Sequence, residues 1–266
     1  MAEREGIFTR ILMAAEKKNL IFGIHPVLEA LDSGKELDKV LVRRDDGSGQ
    51  IKQLLGQLRM REIPVQRVPV EKLNNITGRN HQGVVAYLSS ISYCSITTLL
   101  PSVYEAGEDP LVVMLDGVSD VRNFGAIARS AECSGAHAMV IPASGSARIN
   151  ADAIKTSAGA LHRIPVCRHR NLEEIALFLK DSGLKLFAAT EHAKKRCFDA
   201  DMKGPAVIIL GSEERGISPQ LLRMADLHVS IPLKGSISSL NVSVAAGILL
   251  FEVVRQRGLT SGAADG

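Results

Sequence analysis

The strongest constraint on the fold is a set of five continuous apolar runs in the second half of the chain. They are Leu111–Leu115, Ala138–Ile141, Leu186–Ala189, Ala206–Leu210 and Leu227–Ile231. Such runs, rather than a strict two-residue alternation, indicate strands covered on both faces, as in a parallel sheet. Helical patterns separate them, at Phe124–Cys133, Ala151–Ala160, Leu172–Lys180, Pro219–Met224 and Val242–Gln256. This alternation predicts an α/β domain whose ligand binds beyond the carboxyl ends of the strands.

The first half of the chain alternates in the same way on a smaller scale. Strands are predicted at Lys39–Val42, Pro64–Val68 and Val84–Leu88, with one helix starting near Pro26 and another over Gln50–Arg61. The intervening stretch up to residue 110 is polar and contains proline and glycine, which favours a linker. The predicted divisions are an extension (1–19), a small α/β domain (20–93), a linker (94–109), a large α/β domain (110–258) and a tail (259–266).

Composition excludes little beyond disorder. The chain has 266 residues with 32 basic and 29 acidic side chains, and a net charge of +3 is too small to indicate nucleic acid by itself. A chain of this length buries a core without disulfides or metal. The four cysteines lie at least 30 positions apart without a Cys-x-x-Cys pair, which favours reduced, mostly buried thiols and no metal site. The first 20 residues are too charged for a signal peptide or membrane span, so we expect a cytoplasmic protein.

Glycines and polar side chains follow three of the predicted strands. The three segments are Asp116–Arg129, Gly211–Ser218 and Pro232–Ser243. Because the carboxyl ends of parallel strands meet at one sheet edge, these loops predict a pocket. Local alternatives stay open for the individual side chains. Asn123, Ser239 and Asn241 are also natural helix caps, and Arg129 and Glu213 are also ordinary surface residues.

Several familiar enzyme classes lack their motifs in this sequence. The Gly211 to Gly216 spacing resembles a phosphate-binding loop, but Ile217 stands where the lysine is needed and two glutamates would face the phosphates. No Gly-x-Gly-x-x-Gly or Gly-x-Ser-x-Gly motif is present. Nucleotide triphosphate binding, nicotinamide chemistry and serine hydrolysis are therefore disfavoured.

The three loops together resemble a known family. Asn123–Arg129, Gly211–Ile217 and Ile231–Ser243 look, in this order, like the three motifs of the SpoU/TrmH class of RNA ribose 2′-O-methyltransferases. Phe22–His25 and Asn80–Val84 further resemble the subgroup that modifies a guanosine ribose in 23S ribosomal RNA. The resemblance implies a small RNA-binding domain like ribosomal protein L30e and a C-terminal SPOUT domain with a parallel sheet and a deep trefoil knot.

The resemblance also implies a cofactor, an assembly and a set of site residues. The cofactor would be S-adenosyl-L-methionine, bound in the knot by backbone around Gly211, Ile231 and Leu240, with no metal. The enzyme would be a homodimer whose active site uses both subunits. The family's functional polar positions correspond here to Asn123, Arg129, Glu213, Ser239 and Asn241.

A ribose 2′-hydroxyl is a poor nucleophile, so the site must stabilise the oxyanion that develops on it. Our hypothesis gives this role to Arg129, although the family proposal has this arginine accept the proton. Arginine almost never loses its own proton in proteins, which favours the electrostatic role. Asn123 and Glu213 would orient Arg129 or the target nucleotide, and Ser239 and Asn241 would shape the cofactor loop.

The expected partner is RNA, most simply 23S ribosomal RNA or a ribosomal precursor, contacted through local basic clusters. The clusters are Arg43-Arg44, Arg79-Asn80-His81, Arg168-His169-Arg170 and Lys194-Lys195-Arg196. Three alternatives stay open: a transfer RNA substrate, a non-catalytic RNA-binding or ribosome-assembly factor, and a nucleotide-dependent oxidoreductase.

Overall fold

The computed structural model describes residues 20–261. The chain divides into two compact units between Ser92 and Tyr93. The predicted extension 1–19 lies outside the described residues, as do the last five positions of the predicted tail.

The first unit is a four-stranded sheet with helices on both faces. Its elements are β1 (Leu20–Phe22), α1 (Ile24–Asp32), β2 (Leu37–Arg43), α2 (Gly49–Met60), β3 (Val65–Val68), α3 (Val70–Ile76) and β4 (Val84–Leu88). The strand order is β1-β4-β2-β3, with β4 antiparallel to its neighbours and β3 parallel to β2. Alternate residues of β2 serve two cores: Val40 packs with Leu31 and Leu54 on one face, and Leu41 packs with Leu73 on the other.

The second unit is built on an eight-stranded sheet. Its strands are β5 (Tyr93–Cys94), β6 (Leu111–Asp116), β7 (Ala138–Pro142), β8 (Val166–His169), β9 (Lys185–Ala189), β10 (Lys195–Arg196), β11 (Ala206–Gly211) and β12 (Leu227–Ser230). Its helices are α4 (Ile96–Glu105), α5 (Val121–Cys133), α6 (Ala151–Thr156), α7 (Leu172–Asp181), α8 (Pro219–Met224) and α9 (Val242–Ser261).

All strand pairs of this sheet are parallel, in the order β10-β12-β9-β11-β6-β7-β8-β5. Residues 111–115 and 206–210 in the central strands β6 and β11 are at most 2% exposed, as continuous apolar runs require. The prediction of a parallel α/β domain is confirmed. The order also places the carboxyl ends of β12, β9, β11 and β6 side by side, and the three loops singled out by sequence leave from this edge.

The predicted linker over residues 94–109 is wrong. Cys94 belongs to β5, which pairs with β8 at the edge of the sheet. The helix α4 follows and buries Ile96, Leu100 and Val103, which recur every three or four positions. Pro101 lies inside this helix. Burial of the apolar face of the helix therefore outweighs the helix-breaking tendency of this proline.

Smaller departures affect other boundaries. The strand β8 was not predicted, because Arg168 and His169 interrupt its apolar character. The helix predicted to reach Ala160 ends at Thr156, since Ala158 and Gly159 adopt left-handed backbone angles of φ +50° and +86°. The last helix continues to Ser261, three residues past the predicted domain end.

Three further properties concern the described range 20–261. No helix in it is long and apolar enough to cross a membrane. It contains no group of three or more histidine, cysteine or acidic side chains that could hold a metal ion. Cys167 and Cys197 are buried, whereas Cys94 and Cys133 are exposed, so the expectation of mostly buried thiols is right for only half of them. Burial raises the pKa of the Cys167 thiol to about 12.

Candidate active site

The first loop joins β6 to α5, and Asp120 caps the helix. One carboxylate oxygen of Asp120 accepts hydrogen bonds from the backbone N–H groups of Arg122 (2.9 Å) and Asn123 (2.8 Å). The alternative reading of Asn123 as the helix cap is therefore wrong. Its side chain is left to interact with another loop.

The second loop is a tight hairpin after β11. Ser212 and Gly216 exchange two backbone hydrogen bonds of 3.1 and 2.9 Å. A Cβ atom on Gly211 would lie 2.0 Å from the carbonyl carbon of Gly216 and 2.2 Å from the nitrogen of Ile217. We expected this glycine to admit a ligand, but the hairpin itself requires it. The N–H of Ser218 donates to the carboxylate of Asp116 at 2.6 Å, which ties the hairpin to the end of β6.

The third loop leads from β12 into α9, and Asn241 begins that helix. Its Oδ1 accepts from the backbone N–H of Ser243 at 2.9 Å and from the Ser243 hydroxyl at 2.6 Å. The reading of Asn241 as a helix cap is therefore correct. The other end of the same amide, Nδ2, is available for a second role.

Side chains from all three loops meet in one hydrogen-bonded group, which we call the amide–carboxylate network: Asn123, Glu213 and Asn241. The Nδ2 of Asn241 lies 3.0 Å from Asn123 Oδ1 and 3.1 Å from Glu213 Oε1. The Nδ2 of Asn123 donates to the same Oε1. Only the strand order brings these residues together, because Asn123 and Asn241 are 118 positions apart.

A cavity of about 600 Å³ lies beside the network, within the usual range for small-molecule sites. Six of the eight predicted site residues line it: Gly211, Glu213, Ile231, Ser239, Leu240 and Asn241. Asn123 contacts two of these six through the network. The sequence prediction of a pocket at this edge is confirmed as geometry, while the roles of the residues stay predictions.

Arg129 is placed apart from the other predicted residues. It is exposed and does not line the cavity, and its side chain makes no hydrogen bond or ion pair within the described part of the chain. Six positions along a helix turn a side chain by about 120° from the first, so Arg129 and Asn123 occupy different sides of α5. The cavity of its own chain is therefore not assembled around Arg129.

A fourth loop, after β9, also lines the cavity and was missed by sequence reasoning. It contributes Thr190, Glu191 and His192, and His192 lies 3.6 Å from Glu191. The sequence signal that could have identified this loop was the position of its polar residues directly after a predicted parallel strand.

The cavity has the chemical character that a cationic adenosyl ligand needs. Three acidic residues, Glu191, Glu213 and Glu214, are among those that line it, against a single arginine, Arg215. Its other walls include apolar side chains, among them Leu210, Ile217 and Val229. An acidic, partly apolar site suits the sulfonium and ammonium charges of S-adenosylmethionine together with its adenine ring.

The predicted basic clusters differ in which of their basic side chains are exposed to solvent. Arg168 is buried, and its guanidinium stacks 4.0 Å from the ring centre of Tyr93, so it does not belong to a solvated cluster. Arg43 pairs with Asp46 at 3.5 Å, and Arg196 contacts Asp199 at 2.5 Å. The basic side chains of these clusters that stay exposed are Arg43, Arg44, Arg79, Arg170, Lys194, Lys195 and Arg196.

Comparison with known proteins identifies the class. Residues 110–251 match the SpoU rRNA Methylase family, and residues 20–94 match the family of RNA 2′-O ribose methyltransferase substrate-binding domains. The 23S rRNA (guanosine-2′-O-)-methyltransferase RlmB of Yersinia pestis is 35% identical over 244 residues, covering 90% of this chain and 98% of that protein.

Solved structures agree with this assignment. The SpoU methyltransferase AviRb from Streptomyces viridochromogenes, in complex with AdoMet, is 27% identical with a TM-score of 0.58, covering 90% of each chain. The A. aeolicus TrmH/SpoU tRNA modifying enzyme is also 27% identical, with a TM-score of 0.54, covering 62% of this chain and 86% of that one.

The chain belongs to the SpoU/TrmH family of S-adenosylmethionine-dependent RNA 2′-O-methyltransferases. The predictions of family and cofactor are confirmed, and the oxidoreductase alternative is wrong.

Proposed function

We propose that this protein methylates the ribose 2′-hydroxyl of a guanosine in 23S ribosomal RNA. The observation that carries the proposal is the meeting of polar side chains from three separate loops beside one acid-lined cavity. Similarity to an RlmB enzyme over 90% of the chain supports this RNA. Transfer RNA is the alternative, but the tRNA modifying enzyme matches only 62% of the chain.

Each site residue has a part in this function. Backbone around Gly211, Ile231 and Leu240 holds S-adenosylmethionine, which supplies an electrophilic methyl group when bound. Ser239 and Asn241 shape the loop that closes over it. The intact amide–carboxylate network argues against a non-catalytic RNA-binding factor, because such a factor would not need three loops to share one carboxylate.

Arg129 stabilises the oxyanion that develops on the ribose. Since it lies away from the cavity of its own chain, it serves the cavity of a second copy in a homodimer. A row of exposed apolar side chains on α9 supports such a dimer: Val244, Phe251 and Val254 recur at helical spacing and are 38–50% exposed.

Two finer features of the fold belong to the same proposal. The small unit is an RNA-binding domain of the L30e type, which its mixed four-stranded sheet and its match to a substrate-binding family support. The large unit carries a deep trefoil knot. The course of the C-terminal segment supports this, because β12 lies next to the edge strand β10 whereas the helix α9 that follows it packs against α5, the helix after the central strand β6.

One experiment tests the function directly. The protein is incubated with methyl-labelled S-adenosylmethionine and unmodified total RNA, and the labelled nucleotide is mapped. We expect label on a guanosine ribose of 23S RNA. Label in transfer RNA would support the alternative substrate, and label in a base or in no RNA would refute the proposal.

A variant tests the role of Arg129 in the same assay. We expect Arg129→Ala to bind S-adenosylmethionine normally and to lose turnover by about 100-fold or more, because it removes the charge opposite the oxyanion. Calorimetry measures the binding, and label transfer measures the turnover. Normal turnover by this variant would show that the arginine has no such role.

A further inference from the structure

The hydrogen bonds of the amide–carboxylate network fix which atom of each amide points where. The backbone N–H of Ser243 can only donate, so the atom of Asn241 that it contacts must be the oxygen. The Nδ2 of Asn241 therefore faces Asn123 Oδ1 and Glu213 Oε1. Because Asn123 Oδ1 accepts there, the Nδ2 of Asn123 is turned towards Glu213 as well.

Both amide donors consequently converge on a single oxygen of Glu213. Within residues 20–261, its second oxygen, Oε2, takes part in no hydrogen bond or ion pair, and Glu213 is one of the residues that line the cavity. An ionised carboxylate can accept through both oxygens. A proton can thus be added at Oε2 without disturbing the two bonds that hold Oε1.

The proposed reaction needs such an acceptor. The ribose 2′-hydroxyl must lose its proton as its oxygen takes the methyl group, and arginine keeps its own proton at every working pH. Glu213, by contrast, belongs to the wall of the cavity. A positioned carboxylate on that wall is a suitable proton acceptor.

We infer that Glu213 is the catalytic base, accepting the ribose 2′-hydroxyl proton at Oε2, with Asn123 and Asn241 as positioning residues. The inference rests on the proposed function. The ribose oxygen gives up its proton to Oε2 and forms a bond to the methyl carbon, while the electron pair of the broken sulfur–carbon bond stays on sulfur. One carboxylate and one sulfonium become a carboxylic acid and a neutral thioether, so the net charge of the site does not change.

The isosteric variant Glu213→Gln is the sharpest test. Its amide oxygen can still accept from both asparagines, so the network is kept while the proton acceptor is removed. We expect kcat to fall by about 10²- to 10⁴-fold. Dissociation constants for S-adenosylmethionine and for RNA, measured by calorimetry, should stay within about threefold of the wild type, because positioning is intact. Glu173→Gln, at an exposed position on α7, is the matched control and should keep full turnover.

Chemical rescue separates a base from a structural carboxylate. In Glu213→Ala a small carboxylate can take the vacated place, so formate should raise turnover at least tenfold. Formate should not rescue Arg129→Ala, which lacks a cation. If Glu213→Ala does not fold, as judged by circular dichroism, the isosteric variant decides the matter alone.

Two outcomes would overturn the inference while leaving the function standing. One is an active wild type whose Glu213→Gln variant retains more than a tenth of its turnover. The other is a loss of S-adenosylmethionine affinity that accounts for the whole loss of turnover, which would make Glu213 a binding group. A wild type that methylates no ribose would refute the proposed function and the inference together.

Discussion

The two ends of the large sheet use hydrogen bonds in opposite ways. At the amino end, the guanidinium of Arg257 donates to four backbone carbonyls, of Asp109, Pro110, Lys203 and Gly204, at 2.8 to 3.2 Å. These residues directly precede β6 and β11, so one side chain of α9 fastens the two central strands. At the carboxyl end, the bonds run mainly between side chains of separate loops and border a cavity.

The two ends of the sheet also differ in whether their polar side-chain atoms are fully used in hydrogen bonds. Gln256 repeats the pattern of the amino end, since its amide group accepts from Met202 N–H and donates to Ala200 carbonyl and to Glu252. Side chains there satisfy backbone groups and stabilise the fold. At the carboxyl end, one oxygen of Glu213 can still accept a hydrogen bond or a proton. The stability of the fold does not require this capacity, whereas the proposed reaction does. Substitutions at the two ends should therefore affect different measurements.

The largest expected effect is at the carboxyl end, from Gly211→Ala. The added Cβ would overlap the backbone of Gly216 and Ile217, so the hairpin that lines the cavity must shift. We expect S-adenosylmethionine binding to weaken by at least about 100-fold, or about 2.7 kcal/mol, by calorimetry. Gly204→Ala, just before the same strand, is the matched control, because its Cβ would meet no atom within 4 Å. If both variants weakened S-adenosylmethionine binding equally, the distinction between the two ends of the sheet would be refuted.

The next effect is at the amino end, from Arg257→Leu. The change leaves four carbonyls without their charged donor, and we expect the free energy of unfolding to fall by about 2 kcal/mol. Urea denaturation measures this loss. The affinity for S-adenosylmethionine should stay within about twofold at a temperature where the variant is folded. A large loss of affinity in the folded variant would show that the two ends are coupled.

The smallest effect is a pH dependence of stability at the same end. Bidentate hydrogen bonds from Arg255 (2.7 and 2.8 Å) hold the pKa of the buried Glu252 carboxyl below its ordinary value. A lowered pKa adds stability above the pKa of the unfolded chain, and this part is lost as pH falls through the folded value.

The variant Glu252→Gln tests that dependence. At pH 7 we expect it to be about 1 kcal/mol less stable than the wild type in urea denaturation. The difference should shrink as the pH is lowered through the acid range. A constant difference at all pH values would mean that the carboxyl acts through packing rather than through its charge.

Local sequence was a good guide to the elements and a poorer one to their ends. Apolar runs predicted five of the eight strands in the large sheet, namely β6, β7, β9, β11 and β12, because burial on both faces favours that composition. The helix α4 was missed because Pro101 and the polar stretch Gly107–Pro110 indicated a linker, while its burial depends on a sheet that no local window contains. The strand β8 was missed for a similar reason. Its Arg168 is a charged residue that interrupts the apolar pattern, and the stacking of this side chain on Tyr93 arises only between strands at the sheet edge.

The candidate site divides in the same way. The sequence by itself determined the fold class, the three loops and the residue types in them, because each follows from patterns within a few positions. Only the tertiary structure decided that Asn123, Glu213 and Asn241 share hydrogen bonds and that Arg129 lies apart from them. The physical reason is the order of the strands: hydrogen bonds across 90 and 118 positions exist only after the sheet has placed β6, β11 and β12 at one edge.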